Sequence, residues 1–166
     1  MDGWDNFFVA MAGASVAFAG LVLVSISINL DRILQQPGLI GRAAEPLIVL
    51  FSLFVAASII LIPGQRLTFY GYELLVLGVV FSAFIGHLLR SQAHASIDAA
   101  RQGMAPPHSF RVRVLLCLII ALTLLAAGAS LALGRERGTY FLVPAMVFGF
   151  FLAFMEAWVL LIEIDR

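Results

Sequence analysis

The chain contains no lysine; all ten of its basic residues are Arg. Charge of either sign is scarce, at 12% of 166 residues, against roughly 25% in a soluble domain. Hydrophobic residues make up 62% and the mean hydropathy is +1.04. A water-soluble fold cannot hide that much apolar surface, so lipid is the natural solvent for this chain. The ten Arg balance ten Asp and Glu, giving a formal net charge of zero, so nothing in the charge implies a nucleic-acid partner. The one cysteine, Cys117, excludes an intrachain disulfide.

Motifs that carry chemistry are also missing. The sequence has no phosphate-binding glycine loop, no His-Glu-x-x-His run and no nucleophile elbow. His94 and Asp98, four apart, read as a solvated pair on a helix rather than as metal ligands. No catalytic residues, no metal and no cofactor are expected. The start, MDGWDNFF, is acidic and lacks the basic n-region of a secretory signal, so the apolar run behind it is expected to be retained.

What is present is a series of long apolar runs. A membrane helix needs roughly 20 mostly apolar residues. Five stretches qualify, at about 7–28, 46–62, 72–89, 112–133 and 140–162. Pro46 reads as a first-turn residue, Pro63-Gly64 as a stop, Ser109 as an N-cap and Gly134 as a C-cap. Period-two alternation is absent, so the expected fold is an all-α integral membrane protein. It would be a single domain, a bundle of five transmembrane helices, and a homo-oligomer.

Arg placement sets the orientation. Arg32, Arg42, Arg90, Arg101, Arg111, Arg113 and Arg166 fall on one side, and Arg66, Arg135 and Arg137 on the other. The seven-Arg side is expected to be cytoplasmic, in a bacterial inner membrane, with the N-terminus outside. The segment RSQAHASIDAARQG places Ala93, Ile97 and Ala100 on one helical face. It predicts a cytoplasmic extension of the third helix over about 90–102, ended by Gly103 and Pro106-Pro107.

Small residues mark where helices can approach closely in lipid. The first span carries Ala10, Gly13, Ala17 and Gly20 along one face, and the third carries Gly78, Ser82 and Gly86. Packing inside one bundle accounts for such stripes. Gly13, Ala17, Gly20, Gly78, Ser82 and Gly86 are also the expected oligomer face.

Polar residues gather at the Arg-rich end. Ser15, Val22, Ser25 and Asn29 follow helical spacing on the first span, and serine hydroxyls there can bond their own helix while Asn29 caps it. His87 sits a turn inside Arg90, and Glu156 lies inside the last span, where an ionisable residue marks a functional site by default. Ser25, Asn29, His87 and Glu156 are therefore the expected polar cluster or pore lining. Arg32, Arg42, Arg90 and Glu163 are expected to form interfacial ion pairs. Glu45 and Glu73, read as helix-start residues, would complement the helix dipole.

The run GASVAFAGLVLVSISINLDRIL, together with AWVLLIEI near the end, resembles a family of small bacterial polytopic membrane proteins. The resemblance implies neither an activity nor any site residue. Two functions fit these residues. The first is an oligomeric inner-membrane channel or transporter-like protein for an ion or small solute. The second is a non-catalytic accessory or scaffold subunit packing against a larger membrane complex.

Overall fold

In the computed structural model, which describes residues 3–35, 37–101 and 108–162, the described residues are almost all helical, without a strand. Its elements are α1 (Asp5–Ile28), α2 (Leu30–Gln35), α3 (Pro37–Ile60), α4 (Leu67–Arg101), α5 (His108–Ala132) and α6 (Leu142–Ile162). A 3₁₀ turn over Glu136–Phe141 leads into α6. Among the described residues five helices are long and apolar enough to cross a membrane: Asp5–Ile28, Ile40–Ile60, Leu67–Arg90, Phe110–Ala132 and Glu136–Val159. In lipid every backbone group must be satisfied within its own segment, which is why such sequences become helices.

The ends of the spans differ from the expected ones in instructive ways. Pro46 does not start a helix; α3 begins at Pro37, and Pro46 lies inside it. Proline is tolerated there because neighbouring helices and local adjustment can resatisfy the freed carbonyl. The third span and its extension are one continuous helix, α4, described through Arg101. Gln102, Gly103 and Pro106-Pro107 lie outside the described residues. Ser109 falls within α5, which begins one residue earlier at His108. Gly134 terminates α5 at φ +73°, with Gly134 N–H donating to Leu131 O at 2.9 Å and Arg135 N–H to Ser130 O at 3.0 Å. That pair of bonds is a Schellman motif, and the left-handed φ suits glycine.

α3 sits at the centre of the contacts, touching α1, α4 and α6, while α5 packs between α4 and α6. The tightest seam is α4 against α5. A Cβ on Gly71 would collide with the backbone of Ala132, and one on Gly128 would lie 2.7 Å from Leu75 N. Gly78 meets Leu125 in the same seam. Backbones this close gain van der Waals contact, the main attraction available between helices in lipid. The resulting core is apolar and includes Phe8, Leu53, Phe81, Leu124, Met146 and Leu152. By contrast α1 lies at the edge, burying Phe8, Ser15, Val22 and Ser25 and exposing Val16, Leu21, Leu23 and Val24.

Candidate functional site: a buried charge cluster

Three helices bring ionisable side chains together at the Arg-rich end of the bundle, and a fourth adds an amide. α3 contributes Arg42 and Glu45, three residues apart and so on one face. α5 contributes Arg113 and Cys117, four apart, α4 contributes Gln92 and α6 contributes Glu156. Glu45 is fully buried, Glu156 is 2% exposed and Arg113 is 3% exposed. Such burial is costly unless each charge is paired and hydrogen-bonded.

The pairing is centred on Arg113. Its Nη2 donates to Glu45 Oε2, and also to Gln92 Oε1 at 2.9 Å. Its Nε lies 2.8 Å from Glu156 Oε1, an ion pair whose angle falls outside hydrogen-bond geometry. Arg42 approaches the other Glu156 oxygen, with Nε 3.6 Å from Oε2 and a side chain 27% exposed. Cys117 Sγ–H donates to Glu45 Oε1 at 3.5 Å. Two carboxylates thus face two guanidiniums, and the planar guanidinium fork suits a role that bridges several acceptors. Glu156 Oε2 and Gln92 Nε2 are buried without a hydrogen-bond partner among the described residues.

The residues expected from the sequence are distributed differently. Glu156 is in the cluster, while His87 is exposed on α4. Ser25 and Asn29 are buried on α1, where Ser25 Oγ–H donates to Leu21 O at 2.9 Å and Asn29 Nδ2–H donates to Ser25 O at 3.4 Å. Arg42, expected at the interface, pairs with Glu156. Arg90 is exposed, the Arg32 side chain is not described, and Glu163 lies outside the described residues. Glu73 accepts from Gln65 Nε2 at 2.8 Å on the opposite side of the bundle.

The small-residue face divides in two. Gly13, Ala17 and Gly20 are exposed on α1, and a Cβ at Gly13 or Gly20 would meet nothing within 4 Å. On α4, Gly78 is spent inside the bundle against Leu125. Ser82 Oγ–H donates to Gly78 O at 2.7 Å, and a Cβ at Gly86 would meet nothing within 4 Å.

Sequence reasoning missed Glu45, Arg113, Gln92 and Cys117. Reading Pro46 as a helix start made Glu45 a first-turn residue, when α3 begins eight residues before it. In the sequence Arg113 reads as one of the orienting charges at the edge of its span, although the span begins at Phe110. One signal was available: a carboxylate inside the last span needs a cation at its own depth. Among the described residues no group of three His, Cys, Asp or Glu stands close enough to hold a metal ion.

No family model, no curated protein and no solved structure matches the chain.

Proposed function

We propose that the chain is a non-catalytic membrane scaffold, presenting the outer faces of its bundle to other membrane helices: a second copy or subunits of a larger membrane complex. The observation that carries this reading is the division of α1. Ser15, Val22 and Ser25 turn inward, while Ala10, Gly13, Ala17 and Gly20 turn outward with open space at both glycines. A face that permits close backbone approach, and is not used within one copy, suits an incoming helix.

In this reading the charge cluster is a lock. Arg113 ties α5 to α3, α4 and α6 at one end, which holds the outer faces in a fixed arrangement. We assign the Arg-rich end to the cytoplasm of a bacterial inner membrane, with the N-terminus outside. The test is assembly in mild detergent, read by native mass spectrometry. Gly20→Leu should weaken the assembly without loss of helix content, and an unchanged assembly would remove α1 as the contact.

A second reading, a passage for an ion or small solute between copies, draws on one observation. Arg42 is partly exposed and pairs with Glu156, so the buried carboxylate stands one side chain from the Arg-rich surface. Ion flux in proteoliposomes, wild type beside Glu156→Gln, distinguishes the readings. Flux altered by the substitution supports the passage; no flux from assembled wild type supports the scaffold.

A further inference from the structure

Pro46 lies inside α3, next to the charge cluster, rather than at a helix end. It has no N–H, so the carbonyl of Arg42, four residues earlier, loses the helical donor it would otherwise have. The proline ring also disfavours the helical conformation of the residue before it, which is Glu45. The helix nevertheless runs unbroken from Pro37 to Ile60. Backbone hydrogen bonding is thinned at this turn, and a proline is where a helix bends. Residues 37–45 therefore form an arm joined to the rest of α3 at a pivot.

Two ion pairs tie the arm to other helices. Glu45, beside the proline, accepts from Arg113 Nη2 of α5 and is fully buried. Arg42, about one turn further out, stands 3.6 Å from Glu156 of α6 and its side chain is 27% exposed. The first pair pins the pivot itself. The second pins the length of the arm; being long and reached by solvent, it is the one that yields. Between them Ala43 packs on Ile33 of α2, and Ile26 of α1 joins the same apolar cluster. Positions 42, 43 and 45, within one turn, thus connect the charge cluster to the inner end of α1.

We propose that residues 37–45 are a hinged arm, pivoting at Pro46 and latched by the Arg42–Glu156 pair, whose release frees the inner end of α1. The hinge is a device within one copy and holds under either function above. Only its consequence for assembly rests on the scaffold reading.

The experiment is hydrogen–deuterium exchange of the purified full chain in mild detergent, read peptide by peptide by mass spectrometry. Glu156→Gln removes the charge of the latch while keeping its shape. Exchange over residues 38–45 should rise several-fold, and over α2 with it. Peptides around Gly71 and Gly128, in the tight α4–α5 seam, should stay at the wild-type rate. Adding Pro46→Ala restores the missing N–H, so the double variant should return the arm toward wild-type exchange. Arg42→Gln opens the same latch from the arm's side, and decides the matter if Glu156→Gln does not fold. The proposal is overturned by an unchanged arm, by a rise spread over the whole bundle, or by a rise that Pro46→Ala leaves in place.

Discussion

Arg113 of α5 pairs with Glu45 of α3 inside the bundle, and the same guanidinium reaches Glu156 of α6. One cation thus ties together two carboxylates from helices that are far apart in sequence. The arrangement explains how an apolar bundle tolerates buried charge. It also makes Arg113 the residue whose loss leaves most uncompensated.

Removing Arg113 alone should be severe. Arg113→Leu strands Glu45 without its cation and leaves Glu156 only Arg42. Breaking a buried pair by deleting one partner costs about 3–5 kcal/mol. Replacing Arg113 and Glu45 together by leucine should recover much of that loss, since no unpaired charge stays behind. Unfolding in detergent, followed by circular dichroism, checks both; a double variant as unstable as Arg113→Leu would contradict the pairing.

Glycines should separate folding from assembly. Gly71→Leu and Gly128→Leu put side chains where α4 and α5 backbones nearly touch, so both should disrupt the bundle. Gly13→Leu and Gly20→Leu meet open space within one copy and should fold normally while weakening association. Helix content and native mass together read the two effects. Normal folding of Gly71→Leu would contradict the seam.

Topology follows from the Arg asymmetry. Reporters active in the cytoplasm, fused at Arg166 and at Arg135, should report opposite sides, with signal from Arg166. The same signal from both positions would mean that the last span does not cross, and would end the five-span arrangement.

The all-helical architecture, with five helices long and apolar enough to span a membrane among the described residues, was legible because apolar runs of this length have few alternatives in lipid. The extension beyond Arg90 was legible too, since Ala93, Ile97 and Ala100 kept helical spacing after the apolar run ended. The charge cluster was hidden for a different reason. Pro46 carries a strong helix-start signal in water-soluble proteins, and in this setting it masked nine residues of helix before it. Arg113 looked like an ordinary flanking Arg, because depth in a bundle depends on tilt and neighbours that a single chain does not encode locally. Glu156 was recognised as unusual, but its partners come from α3 and α5, at long sequence separation.

The scaffold account is tested most directly by site-specific photo-crosslinking in intact membranes. A crosslinker is placed at Ala17, on the outward small-residue face of α1, and separately at Leu122, a 65% exposed position on α5. Ala17 should yield protein adducts of discrete mass, identified as this chain or a fixed set of membrane subunits, while Leu122 should yield lipid adducts. Lipid adducts alone at both positions would contradict the account, because α1 would then face only the bilayer.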